Sequence, residues 1–115
     1  MGRGEAADPS VAWMIELIVL RRAEADIQRV YGRLEDFQTG RGEAFLRRID
    51  LAFARLQQFP ELGAIYYAGY RRLLLGQLPF GIFYRVEGNR LIIVTTASLR
   101  QDPSAIRAML DDPSN

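Results

Sequence analysis

The sequence predicts an α+β layer fold: a helical hairpin packed on a small antiparallel sheet, in the order strand, helix, helix, strand, strand, strand, short helix. Three observations lead there. The run from Gly69 to Pro103 holds three β-branched or aromatic segments separated by Gly, Pro and Asn, the pattern of an antiparallel meander. Ahead of it, two stretches repeat apolar residues at helical spacing. Helices grouped before a run of strands select an α+β arrangement over an alternating α/β one.

Residues 1–12 are rich in Gly, Pro, Asp and Ser and read as a mobile tail, so residues 1–13 are assigned to a flexible N-terminal extension and 14–110 to a single domain. Met14 is followed at once by Ile-Glu-Leu-Ile-Val-Leu, a strand that must pair within the later sheet, beside the last long strand. From Arg21 to Gln38, Ala23, Ile27, Val30, Tyr31, Leu34 and Phe37 form one apolar helical stripe. Gly40 and Gly42 bracket Arg41 and mark a stop and a tight connection. Glu43 to Phe59 repeats the stripe with Phe45, Ile49, Ala52, Phe53, Leu56 and Phe59, and Pro60 ends it. Two such helices form an antiparallel hairpin whose apolar faces need the sheet. Glu61 to Ala68 reads as a connection, followed by strands near 70–75, 80–86 and 90–97, the last two joined at Glu87-Gly88-Asn89. Asp102-Pro103-Ser104 caps a short last helix with Ala105, Ile106, Met109 and Leu110 apolar, and 111–115 reads as a frayed tail.

Composition narrows the chemistry. With no Cys there is no disulfide or thiolate, and with no His the commonest general base and metal ligand are missing. No carboxylate cluster has metal-binding spacing, no glycine-rich phosphate cradle is present, and Ser98 and Thr96 have no His to activate them. Neither a cofactor nor a metal is expected. No apolar run approaches the ~20 residues of a membrane span, and the start lacks the order of a signal peptide, so a cytoplasmic location is expected. Glu24 and Asp26 sit two apart on a helix and read as a solvated first turn, not an acid pair.

The formal net charge is +1, but it is segregated. Residues 17–101 carry thirteen Arg against eight acids, a net of +5, and the remainder carries two Arg against six acids, a net of −4. All the cations are Arg, which fits both a GC-rich codon bias and selection for planar, bidentate donors at an anionic site. Arg71 and Arg72 must point to opposite faces of their strand. Whichever approaches the helices needs Asp50, Glu61, carbonyls or a cleft to offset its desolvation. Arg85 and Arg90 flank a hairpin tip and read as solvated, whereas Arg100 lies on a loop after the last strand. Tyr66, Tyr67, Tyr70 and Tyr84 read as interface fillers with hydroxyls at the edge. Tyr84 alternates with Phe80 and Ile82 on one strand face.

Five segments, in order, resemble the RelE/ParE superfamily of type II toxin–antitoxin toxins, often described as plasmid-stabilisation proteins. They are Arg22-Ala23-Glu24-Ala25-Asp26-Ile27, Leu56-Gln57-Gln58-Phe59-Pro60-Glu61-Leu62-Gly63, Tyr70-Arg71-Arg72-Leu73, Ile82-Phe83-Tyr84-Arg85-Val86 and Arg100-Gln101-Asp102-Pro103. The resemblance spans about 14–110 and is closer to the ParE branch. It implies a cytoplasmic bacterial growth inhibitor of DNA gyrase, neutralised by a cognate antitoxin, as a homodimer or a toxin–antitoxin hetero-oligomer. On every branch, apolar residues left over at the helix edges and the Arg-rich face lead us to expect an acidic antitoxin segment across the helix–sheet groove. The target-binding patch would comprise Arg71, Arg72, Tyr84, Arg85 and Arg100. The alternative branch, similar to RelE, implies a ribosome-dependent mRNA endoribonuclease, with Arg71, Arg72 and Arg100 gripping phosphates and Tyr84 in proton transfer. The ParE-type closing motif His-x-Arg-Arg-Asp-Pro stands here as Ser98-Leu99-Arg100-Gln101-Asp102-Pro103, which leaves a degenerate, non-toxic homologue as a third reading.

Overall fold

The computed structural model describes residues 15–115, and the expected flexible extension lies outside them. The chain runs β1 (Glu16–Val19), α1 (Arg21–Phe37), α2 (Arg41–Gln58), β2 (Ala64–Tyr67), β3 (Tyr70–Leu74), β4 (Phe80–Glu87), β5 (Arg90–Ser98) and α3 (Pro103–Leu110). The α+β class and the helical hairpin on a sheet are as the periodicities predict. Two details differ. The sheet is mixed, in the order β1-β5-β4-β3-β2, because β1 pairs with β5 in parallel, Glu16 opposite Arg90. The segment read as a connection, 61–68, contains β2, which pairs with β3 through a tight turn. Ala68 and Gly69 both take positive φ there, a conformation Ala signals poorly in a sequence.

The hairpin turn is built from Gly40, in the left-handed region at φ 94°. The Glu35 carboxylate accepts from the backbone N–H of Gly40 and of Gly42, each at 2.9 Å, and so satisfies donors at the start of α2. A Cβ on Gly42 would lie 2.7 Å from the Glu35 and Tyr31 side chains, so the close approach of the two helices requires glycine.

Strand alternation gives the sheet two buried faces. On the hairpin side, Ala23, Ile27 and Val30 of α1 and Phe45, Ile49 and Leu56 of α2 pack on Ile82, Tyr84, Leu91 and Ile93. Phe45 meets Phe80 edge-on, ring centroids 5.5 Å apart. On the other side, α3 places Ile106 and Leu110 on Phe83, Ile92 and Val94. Each such large side chain contributes about 2 kcal/mol of transfer free energy. The last helix starts where Asp102 accepts from the Ser104 N–H at 2.9 Å, with Pro103 opening the first turn.

Asp26 corrects its sequence reading. It is not a solvated first-turn acid but is buried, 6% exposed. Its carboxylate accepts from the Thr95 hydroxyl and, at 3.4 Å, from the Thr96 N–H, and it pairs with Arg29 one turn on. A short acid reaching β5 ties α1 to the centre of the sheet, a role that helical spacing alone cannot signal. Asp26→Ala leaves the Thr95 hydroxyl buried without its acceptor, and a loss of about 2 kcal/mol is expected in urea unfolding. A loss under about 0.5 kcal/mol, the level of ordinary surface changes, would show that this tie is not structural.

Candidate functional site

The side chains singled out from the sequence are divided between the two faces of the sheet. Arg71 stands opposite Tyr84 across β3 and β4, on the hairpin side. Its Nη1 donates to the Gly63 carbonyl at 2.8 Å and to the Glu61 carbonyl at 3.3 Å, so carbonyls, not the carboxylates of Asp50 or Glu61, hold this guanidinium. Tyr84 is fully buried, and its hydroxyl is not left at an edge. That hydroxyl donates to the Pro60 carbonyl at 2.7 Å and accepts from the Gly63 N–H at 2.8 Å. Burial raises the phenol above its ordinary range, while the Gly63 N–H and the Arg71 charge pull more weakly the other way. Gly63 is therefore gripped at both ends, N–H by Tyr84 and C=O by Arg71. A Cβ there would sit 2.8 Å from the Tyr84 ring and hydroxyl and 2.9 Å from the Arg72 carbonyl. Arg71 and Tyr84 together anchor the turn that leads from α2 into β2.

Arg72 faces the other way. Its guanidinium lies 4.9 Å above the Tyr66 ring, and Tyr66 meets Phe83 edge-on at 5.1 Å. The Arg72 stem runs over Gly81, where an added Cβ would lie 3.2 Å from Arg72 Cγ and 3.4 Å from Leu99 Cδ2. Arg72 has no carboxylate partner among the described residues. Leu99 and the exposed Arg100 follow directly on the turn after β5, where the Arg100 N–H donates to the Ser98 hydroxyl at 3.1 Å. Ser98, at the position of the family His, therefore acts as a turn-forming acceptor.

Arg85 shares the Arg72 side of the sheet but is not solvated as expected. Its Nε pairs with Glu87 at 2.7 Å, its guanidinium lies 5.9 Å from the Tyr70 ring centroid, and Nη2 reaches the Asn115 carbonyl at 3.5 Å. Arg90 is exposed as expected and lies 3.6 Å from Glu16. The five-residue patch thus does not converge. Arg71 and Tyr84 lie on the hairpin side, Arg72 and Arg85 lie on the α3 side, and Arg100 lies on the turn after β5.

The tail read as frayed, 111–115, folds back instead. Tyr67 donates to Asp111 at 2.8 Å, Arg22 pairs with Asp112 at 2.6 Å, and the Asn115 amide donates to the Met109 carbonyl at 2.7 Å. The Ser114 N–H first, and Arg22 next, hold the Asp112 carboxyl down to about 2. This lowered value makes the tie fully present above the ordinary carboxylate range and lost as the pH falls towards 2.

A second feature is a helix–sheet groove, expected from the sequence but without its lining residues named. Beyond the last β2 pair, Ala64 opposite Arg72, the edge of β3 is open beside α2. Arg48, Leu51 and Arg55 of α2 face Leu62, Leu73 and Leu74 across a shallow groove. Leu51, Leu62 and Leu74 are 57%, 45% and 49% exposed, which is unusual for neighbouring leucines. On α2, Leu51 lies three residues after Arg48 and four before Arg55, which puts the three on one helix face.

The model of the ParE toxin of the type II toxin–antitoxin system parDE matches residues 17–103. The chain belongs to this ParE toxin family and is a ParE-like type II toxin. A solved structure described as the chromosomal ParDE TA system from P. aeruginosa is similar to it, with a TM-score of 0.63 and 27% identity, over 76% of this chain and 98% of that one. No curated protein matches the chain. Among the described residues no helix is long and apolar enough to cross a membrane.

Tyr84→Phe deletes the hydroxyl and leaves the Gly63 N–H and the Pro60 carbonyl without their partner, at a cost of about 2 kcal/mol. Thermal unfolding should show that loss together with faster exchange of the Gly63 amide. Unchanged stability would mean that Tyr84 is not an anchor.

Proposed function

We propose that this toxin acts in the cytoplasm by binding DNA gyrase and stopping it, without cleaving nucleic acid, and that a cognate antitoxin neutralises it in a toxin–antitoxin hetero-oligomer. Family membership supports the toxin class. The observation that carries the non-nucleolytic reading is Tyr84. Cleavage at a 2′-hydroxyl needs a base and an acid; the chain has no His or Lys, and the RelE-like reading assigns proton transfer to the Tyr84 phenol. Its single proton is given to Pro60 and its lone pair to Gly63, inside a core without solvent access. Arginine stays protonated too firmly to replace it.

The target-binding patch centres on Arg72 and Arg100. Arg72 is held over Tyr66, which orders the guanidinium without neutralising it. Arg71 belongs to the scaffold, and Arg85 is taken up by Glu87 and the C-terminal segment. The antitoxin segment lies in the groove between α2 and β3, with its apolar side chains on Leu51, Leu62 and Leu74 and its acids at Arg48 and Arg55.

Purified protein should inhibit gyrase supercoiling and leave ribosome-bound mRNA intact. Leu51→Glu should weaken rescue by the antitoxin at least about tenfold, the effect of a charge placed on an apolar docking surface, and leave the inhibition itself unchanged. Cleaved mRNA with unaffected supercoiling would replace this reading with the RelE-like one, and absence of both effects would indicate a non-toxic homologue.

A further inference from the structure

We propose that Asp111–Asn115 is a displaceable acidic strap, and that it occupies in cis a docking site for an acidic segment of a partner protein on the α3 side of the sheet. The site is separate from the α2–β3 groove and does not rest on the identity of the toxic target.

The strap bridges opposite sheet edges. Asp111 is held from the β2 edge by Tyr67, and Asp112 from the start of α1, next to β1, by Arg22. Arg22 also donates from Nη1 to the Met109 carbonyl of α3 at 2.9 Å, which holds the guanidinium in place while its Nη2 meets the Asp112 carboxylate. Arg85 reaches the strap at the Asn115 carbonyl, yet its Nη1 is buried with no partner among the described residues. A cation left partly unsatisfied beneath a segment marks a place where a better-fitting acceptor would gain a bond. Between the strap, Tyr70 and Arg85 there is an open cleft of about 570 Å³.

The strap is built to leave. Asp-Asp-Pro-Ser-Asn brings no large apolar side chain to the core, and its contacts are polar. The Arg22–Asp112 pair is 27% and 36% exposed, so solvent screens it. Its advantage is its tether, which gives it a high effective concentration over any free competitor. A peptide suits the site better than a polyphosphate. The donors are separate, a Tyr hydroxyl and two Arg forks spaced for single carboxylates, and Glu87 stands beside Arg85 to repel dense negative charge.

The test uses the full chain and its D111N/D112N variant, with a labelled Leu-Asp-Asp-Pro-Ser-Asn peptide as probe in fluorescence anisotropy at low salt. The variant should bind the probe about tenfold or more tightly than the parent, since the tethered competitor is gone. Arg22→Gln in the variant should remove the gain, and a probe with Asn at both Asp positions should not bind. In the parent, excess acidic probe should move the amide resonances of Ser114 and Asn115 to random-coil positions. Equal binding by variant and parent, or strap resonances unmoved by probe, would overturn the proposal. A gain for a ten-nucleotide single strand in place of the peptide would overturn it in favour of a phosphate site.

Discussion

The two-residue period of β3 separates Arg71 from Arg72, and the rest of the molecule's use of charge follows from that separation. One guanidinium is carried to the hairpin side, where its partial burial carries a desolvation cost. The fold meets that cost with the carbonyls of Glu61 and Gly63, and in doing so fixes the turn between α2 and β2. The other guanidinium is carried to the α3 side, where an aromatic ring holds it in place and leaves its charge available. Neighbouring residues of one dipeptide thereby divide into scaffold and surface.

The same division explains the tyrosines. Tyr84 lies on the hairpin side and spends both hydrogen-bonding valences on the Pro60–Gly63 turn. Tyr66 and Tyr70 lie beside Arg72 and Arg85, and Tyr67 beside Arg107, as ring platforms on the α3 side. The acidic C-terminal segment is drawn to that cationic, aromatic side, which is where the charge segregation along the chain becomes a spatial contact. The groove beside β3 differs in kind, with leucines rimmed by arginines, and suits an amphipathic segment. A toxin that must meet both a target and an antitoxin is served by two such surfaces of different chemistry.

Much of the fold was legible because apolar spacing is a strong signal. Ala23, Ile27 and Val30, and Phe45, Ile49 and Leu56, give the hairpin its buried stripe, and Phe80, Ile82 and Tyr84 alternate as expected. The resemblance to the ParE branch was also legible in short motifs. What was hidden depends on long-range partners. Asp26 reads as a surface acid until Thr95, far along the chain, is placed over it. Arg85 reads as a hairpin-tip cation until the tail folds back onto it. Strand β2 escaped because its turn uses Ala68 at positive φ, and the parallel pairing of β1 because two adjacent strand patterns do not encode direction. The candidate patch was drawn by residue type, and type does not report which face of a sheet a side chain takes.

The most direct measurement compares Arg71→Gln with Arg72→Gln for stability and for gyrase inhibition. Arg71→Gln should lower unfolding stability by about 1 kcal/mol, as expected when a part-buried carbonyl loses a charged donor, with inhibition retained by the folded fraction. Arg72→Gln should melt within a few degrees of the parent and lose inhibition. If the two variants lost inhibition equally with no difference in stability, the arginines would act as one site, and the assignment of the two faces to scaffold and surface would be wrong.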